Sequence, residues 1–190
     1  MRPFENASSR VAGVIAVAFL LLGASACGES KSDQQAAKYA DSLCTSISDW
    51  EQQVTTIASR LDAGSPKTVA RTKLDEAATA TVGLVAKIHR LDTPDVEGAD
   101  RAKQSVDTFA VHSMSTVSAV KAGSAQLKSY GTGAANVATV ALPLGLKLEQ
   151  LVREGKTTVS DLEAIKGPFE KAVKKSDACQ ALKPSEDNQS

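Results

Sequence analysis

The chain has 190 residues, with 22 basic and 22 acidic side chains, so its formal net charge is zero. A neutral chain of this length can bury a core, but it has no excess positive charge with which to hold nucleic acid. Only 4% of the residues are aromatic, and recognition of sugars or peptides depends on exposed tryptophan and tyrosine. The composition therefore excludes a basic nucleic-acid-binding protein, and we predict no nucleic-acid partner.

The first 26 residues have the three-part layout of a secretory signal peptide. The charged start carries Arg2 and Arg10. It is followed by the apolar stretch VAGVIAVAFLLLGA and then by several small residues. Residues 11–22 supply about a dozen apolar positions, whereas a membrane-spanning helix needs roughly 20. We predict that residues 1–26 form a signal helix that is removed.

The small residues before Cys27 fit two kinds of cleavage. Residues 24–26, ASA, suit ordinary signal peptidase, and residues 24–27, ASAC, resemble the box of bacterial lipoproteins, although Leu is commonest where this chain has Ala24. That resemblance implies that the Cys27 thiol receives diacylglycerol, that an acyl chain such as palmitate is added, and that Cys27 becomes the first mature residue. Two or three acyl chains hold a protein firmly. Plain secretion and an uncleaved anchor are the alternatives.

Lipidation would tether the protein to the extracytoplasmic face of the bacterial cell membrane. Subtracting 26 residues from 190 leaves 164, which is enough for one domain with its own core. We predict a polar spacer over residues 27–33, a single helical domain over residues 34–182 and a disordered tail over residues 183–190.

Two cysteines, Cys44 and Cys179, remain if Cys27 carries lipid. Outside the cytoplasm such a pair is expected to be oxidised. A reactive thiol pair and a metal site are the alternatives, but the spacing is not CxxC and no histidine is near either cysteine. We predict a Cys44–Cys179 disulfide that joins the first helix to the last, and no metal site.

Helical periodicity covers most of the mature chain. In the first segment the apolar stripe is Ala36, Ala40, Leu43, Ile47, Trp50, Val54, Ile57 and Leu61. Gly64 ends this helix, and we predict Ser65 as the N-cap of the second, with Pro66 in its first position. The stripe of the second helix is Leu74, Ala78, Thr81, Val85 and Ile88.

The third helix follows Thr93-Pro94, and we expect Asp95 and Glu97 in its first turn. Its inward face is Ala99, Ala102, Val106, Phe109, Val117, Val120 and Leu127. The fourth segment, residues 134–152, is apolar nearly all round, which predicts burial. We expect Pro143 to kink or split this segment, a restart at Thr158 or Ser160, and a bend at residues 167–168.

No alternating strand pattern of useful length occurs, so the predicted fold class is all-α. Long helices joined by short Pro/Gly turns pack as antiparallel neighbours. We predict an up-down bundle of four main helices whose last segment is kinked or split.

Catalytic motifs were not found in the sequence. His89 and His112 lie in no HExxH or ExxH pattern, no GxSxG occurs, and Gly131 and Gly133 form no phosphate-binding loop. We therefore predict a protein that is not an enzyme and that uses no cofactor.

The apolar fourth segment suggests a binding role as well as core packing. A kinked aliphatic helix can form the wall of a cavity for a hydrophobic ligand. The wall residues would be Val137, Val140, Leu142, Leu144 and Leu146. Core packing of this segment and self-association of the helical stripes are the alternatives.

The lipoprotein box, an Ala/Thr/Val-rich helical domain, a cysteine early in the first helix and another in a closing ACQAL resemble features of small lipoproteins and secreted helical proteins of actinobacteria. The resemblance implies an envelope location and brings no site residue with it. We predict a membrane-tethered, non-enzymatic interaction or accessory domain with an envelope protein as partner. A carrier of a hydrophobic ligand and a secreted, non-lipidated helical protein are the alternative functions.

Overall fold

The computed structural model describes residues 30–60, 65–130 and 134–183, with side chains from residue 137 onward in the last range. These residues form helices and no strand, which confirms the all-α prediction. The helices are α1 (Lys31–Ala58), α2 (Lys67–Ile88), α3 (Ala99–Ser129), α4 (Ala134–Ala164), α5 (Pro168–Lys175) and α6 (Asp177–Ala181).

The four long helices pack in chain order around one core. α1 contacts α2, α2 contacts α3, α3 contacts α4, and α4 returns to α1. α3 and α4 are antiparallel, because Gly155 in the second half of α4 faces Phe109 near the start of α3, whereas Leu144 and Val140 face Gly123. α5 and α6 pack against α1, and α5 also contacts α4. This arrangement is the predicted up-down bundle with two short helices added along one side.

α1 begins earlier than the sequence predicts. Ser30 is its N-cap and accepts a hydrogen bond from the backbone N–H of Asp33, so residues 31–33 form the first turn of the helix and do not belong to a spacer. The predicted stripe of α1 is buried from Ala36 to Ile57, and Leu61 lies outside the described residues.

Two other helix starts also differ from the predictions. The N-cap of α2 is Pro66, and Ser65 instead donates its hydroxyl hydrogen bond to the carbonyl of Arg60 at 3.3 Å. α3 starts after Gly98, whose φ of 84° is a backbone conformation that glycine adopts more readily than other residues. A Cβ at this position would also collide with Ile165. Asp95 and Glu97 therefore precede the helix, and the acidic residue of its first turn is Asp100.

α4 is one continuous helix of 31 residues. The helix is therefore not split at Pro143, and the expected restart at Thr158 or Ser160 is wrong. Pro143 is exposed, so its missing backbone hydrogen bond lies on the solvent side of the helix, while the turn around it is fixed by the packing of α4 on α3. The chain does bend at residues 167–168, as predicted, and α5 begins with Pro168 in its first turn.

Aromatic side chains lie at the centre of the core, and the indole N–H of Trp50 is hydrogen-bonded. Trp50 is 2% exposed, and its indole N–H donates a hydrogen bond to Thr81 Oγ1 at 3.1 Å. The ring of Trp50 meets the ring of Phe109 edge to face, with 6.1 Å between centroids. Trp50 is therefore a core residue, as its place on the α1 stripe predicts.

Candidate functional site

The end of the bundle that contains the start of α1 is the candidate functional site, because the predicted lipid acceptor lies next to it in sequence. Cys27 itself is outside the described residues. Ser30, three positions later, is the first residue that the structure describes. The site is therefore built from the first turn of α1 and from the short helices that pack on it.

Asp33 links the first turn of α1 to α5. Its carboxylate accepts a hydrogen bond from Ser30 Oγ at 2.8 Å and lies 3.3 Å from Lys171 Nζ on α5. The hydrogen bond from Ser30, followed by the bond and charge of Lys171, lowers the pKa of Asp33 below its usual value. The carboxylate thus stays charged at the positive end of the α1 dipole.

α5 carries a second group of surface ion pairs. Glu170 lies 2.7 Å from Lys174 Nζ and 3.7 Å from Lys166 Nζ. The hydrogen bond from Lys174 lowers the pKa of Glu170, and the same bond raises the pKa of Lys174. The ion pair with Glu170 therefore favours the charged form of Lys174.

The structure contains the predicted disulfide between Cys44 on α1 and Cys179 on α6. The two Cα atoms are 4.9 Å apart and both residues are completely buried. Ser176 positions α6: its hydroxyl donates to Asp41 Oδ1 at 2.8 Å and accepts from the backbone N–H of Cys179 at 3.3 Å. The bridge therefore fixes the C-terminal helices to α1, the helix whose N-cap follows Cys27 by three residues in the sequence.

The five residues predicted to form a hydrophobic wall do not share one face of α4. Val137, Val140 and Leu144 are buried, whereas Leu142 is 47% exposed and Leu146 is 64% exposed. Positions 142 and 146 are one turn apart and point away from the stripe of positions 137, 140 and 144. The prediction of a single wall is wrong, and so is the expectation that this segment is buried all round.

Open grooves also lie elsewhere on the bundle. One, of about 1080 Å³, runs between α1 and α2, and its lining includes polar and charged side chains such as Asp49, Gln53 and Lys73. A groove of about 560 Å³ between α3 and α4 contains His112, whose Nδ1 lies 3.3 Å from Glu154 Oε2. Residues 112 and 154 are on different helices, so the sequence pattern gave no signal for this pair.

Within residues 30–60, 65–130 and 137–183, no three His, Cys, Asp or Glu side chains are grouped in a way that could hold a metal ion. Over the same part of the chain, no helix has the length and apolar character needed to cross a membrane.

Comparison with known proteins identifies no family for this chain. The chain matches no protein-family model, no curated protein and no solved structure. The resemblance to actinobacterial lipoproteins and secreted proteins therefore stays a prediction.

Proposed function

We propose that the protein is an envelope lipoprotein, tethered to the extracytoplasmic face of the cell membrane by lipid on Cys27. The observation that carries the proposal is the position of Cys27, three residues before the N-cap of α1. A lipid acceptor must lie outside the folded domain so that the modifying enzyme can reach it. The polar first turn of α1, with Lys31, Ser32 and Asp33, fits a helix that begins at the membrane surface.

We further propose that the tethered bundle acts as a non-enzymatic interaction or accessory domain with an envelope protein as partner. The core beneath the grooves is filled with aliphatic and aromatic side chains and alanine. Asp33, Glu170 and Lys174 have shifted pKa values because of hydrogen bonds and ion pairs on the surface, and not because they are held in an enclosed cleft. These features support binding through the surface of the bundle.

The test of the tether is the intact mass of the full chain after expression and membrane extraction, with and without reduction. We expect a chain that starts at Cys27, carries diacylglycerol and a further acyl chain, and gains two hydrogen masses on reduction. The Cys27→Ala variant should lack the lipid. An unmodified chain in the medium would contradict the proposal and favour the secreted, non-lipidated alternative.

A further inference from the structure

One face of α4 is exposed although it carries large apolar side chains. Leu142 and Leu146 are the two exposed leucines in the part of the chain that the structure describes. Glu149 and Arg153, both exposed, follow Leu146 at steps of three and four positions, so they lie on the same face of the helix as the leucines. We call Leu142, Gly145, Leu146, Glu149 and Arg153 the open face of α4.

Gly145 leaves the helix backbone accessible between the two leucines. A Cβ at Gly145 would meet nothing within 4 Å, whereas a Cβ at Gly155, also on α4, would press against Ile47 and Phe109. Packing within the chain therefore accounts for Gly155 and does not account for Gly145. A neighbouring molecule could approach the backbone of α4 closely at this position, because no side chain stands in the way.

A groove with apolar lining begins beside the open face. α5 and α6 cover the part of the α1–α4 seam that is nearer the start of α1. Beyond the ion pair of Lys156 with Glu51 the seam is open, and it forms a groove of about 420 Å³ whose apolar side chains are Val54, Ala58 and Val152. The exposed leucines and this groove thus lie within two turns of each other on α4.

Glu149 and Arg153 add charge to the rim of the groove. Within the described residues the side chains of Glu149 and Arg153 form no ion pair and no hydrogen bond. Glu154 and Lys156, close by on the same helix, pair with residues of α3 and α1. The open face therefore carries one negative and one positive group, a turn apart, and a second copy of the same face could pair with both.

A twofold axis through the middle of α4 makes the open face complementary to itself. α4 runs from residue 134 to residue 164, so its midpoint is position 149. If two copies of α4 run antiparallel across an axis at this position, Leu146 lies opposite Val152 of the other copy, beside the apolar groove. Gly145 then lies opposite Arg153, where it leaves room for the longer side chain.

The charges favour the same antiparallel arrangement. Glu149 of one copy and Arg153 of the other are then four positions apart along the helix axis, or about 6 Å, which two long side chains can span. A parallel arrangement would instead bring Glu149 against Glu149 and Arg153 against Arg153, and like charges that meet at an interface oppose binding.

We infer that the open face of α4 binds a second copy of this chain, so that the protein is an antiparallel, twofold-symmetric dimer. The leucines of each copy pack at the α1–α4 groove of the other, and two Glu149–Arg153 ion pairs flank them. The inference goes beyond the proposed lipoprotein and does not depend on lipid. It is compatible with a tether, because a twofold axis along the membrane normal keeps both copies of Cys27 at the same height.

The test is sedimentation equilibrium of the membrane-extracted full chain in a density-matched detergent, over a range of protein concentrations. We expect a reversible equilibrium between monomer and dimer. Leu146→Glu should raise the dimer Kd at least about a hundred-fold, because it places a charge in the apolar contact of both copies. Val111→Glu is the matched control, since Val111 on α3 is 67% exposed and lies outside the open face. It should leave the Kd unchanged.

Charge reversal tests the proposed pairing directly. Glu149→Arg and Arg153→Glu should each raise the Kd about ten-fold, because each puts like charges opposite one another. A chain that carries both substitutions should recover the original Kd, since the two charges have only exchanged places. A mixture of the two single variants should form a heterodimer more tightly than either variant pairs with itself. A merely structural role of these exposed side chains would not give this reciprocity.

The outcomes of the test separate this inference from the proposed tether. A chain that stays monomeric at every concentration overturns the inference, and the open face is then left for a different protein. A dimer that responds equally to Leu146→Glu and Val111→Glu also overturns it, because the contact must then lie elsewhere. Neither result changes the intact mass, which is the measurement that decides whether Cys27 carries lipid.

Discussion

Gly123 on α3 allows α4 to approach closely. A Cβ at this position would collide with Leu144 and would lie 3.3 Å from Val140, whereas a Cβ at Gly83 on α2 would meet nothing within 4 Å. We predict that Gly123→Ala lowers the free energy of unfolding by about 1 to 3 kcal/mol through overpacking. Gly83→Ala should raise it by about 0.5 to 1 kcal/mol through helix propensity.

Chemical denaturation of the two alanine variants, each compared with the unchanged protein, gives both free energies. Equal effects at positions 83 and 123 would contradict the close α3–α4 contact at Gly123.

Tyr39 is a buried residue of α1, and its phenol stabilises the folded state only while it is neutral. It is 6% exposed and meets Phe169 edge to face, with 6.0 Å between ring centroids. Burial, followed by the charge of Asp107, raises the pKa of Tyr39 to about 12. Because the ordinary pKa is about 10, the unfolded chain loses this proton first, and stability should fall as pH rises from about 10 to about 12.

Tyr39→Phe should remove this part of the alkaline loss, which we expect to be no more than about 3 kcal/mol. The measurement is the free energy of unfolding of both proteins at pH 8 and at intervals up to about pH 12. Parallel pH curves for the two proteins would show that Tyr39 is not the group responsible.

Sequence periodicity predicted individual core residues well but not their partners. The spacing of apolar residues on α1 assigned Trp50 to the core, and Trp50 is buried. The hydrogen bond from Trp50 to Thr81 joins residues 31 apart, and the pair of Lys171 and Asp33 joins residues 138 apart. A helical period predicts which face of a helix is inward, but it does not specify which residue of another helix lies opposite.

At the scale of the element, α4 shows packing overriding local helix breakers. Pro143 lies in the tenth position of a helix that starts at Ala134, and Gly155 also lies within it. Gly155 has Ile47 and Phe109 packed against it, so the absent side chain makes room for the core. The sequence predicted breaks because proline and glycine disfavour a helix locally, and contacts with α1 and α3 outweigh that preference.

Pro143→Ala should stabilise α4. The substitution restores a backbone N–H in the helix interior and places a better helix former at an exposed position, so we expect a gain of about 1 to 3 kcal/mol in the free energy of unfolding. Pro143→Gly restores the same N–H with poorer propensity and should gain about 1 kcal/mol less. Thermal and chemical unfolding measure both changes, and a loss of stability in Pro143→Ala would contradict the prediction.

The disulfide connects elements that are distant in sequence, because Cys44 and Cys179 are 135 positions apart. Closing so long a loop restricts the unfolded chain, and the loop-entropy model gives about 4 to 5 kcal/mol, which we treat as an upper bound. We predict that the reduced protein has a free energy of unfolding lower by about 2 to 5 kcal/mol.

The comparison is made between oxidised and reduced samples of the same chain, so that no cavity is introduced by substitution. A Cys44→Ala, Cys179→Ala variant should be insensitive to reductant. If reduction left the denaturation midpoint of the unchanged protein where it was, the bridge would contribute nothing to stability.

At the scale of the whole molecule, the sequence was sufficient to predict the fold class, but it did not predict where α5 and α6 pack. Three amphipathic segments and a fourth that is apolar nearly all round, separated by turn residues, predicted an up-down bundle, and the structure has it. The placement of α5 and α6 along α1 depends on Asp33 with Lys171 and Asp41 with Ser176. Such contacts between chain ends carry no local pattern, so the sequence did not predict them.

The disulfide also makes most of the domain a closed covalent ring. Residues between Cys44 and Cys179 include the three connections that join the four long helices. A protease that cuts any one of these connections opens the ring but releases nothing, because both pieces stay joined through the bridge to the helix that begins beside Cys27. If Cys27 carries the proposed lipid, a chain nicked at the cell surface would remain on the membrane as one particle, and its C-terminal piece would be shed only after the bridge was reduced.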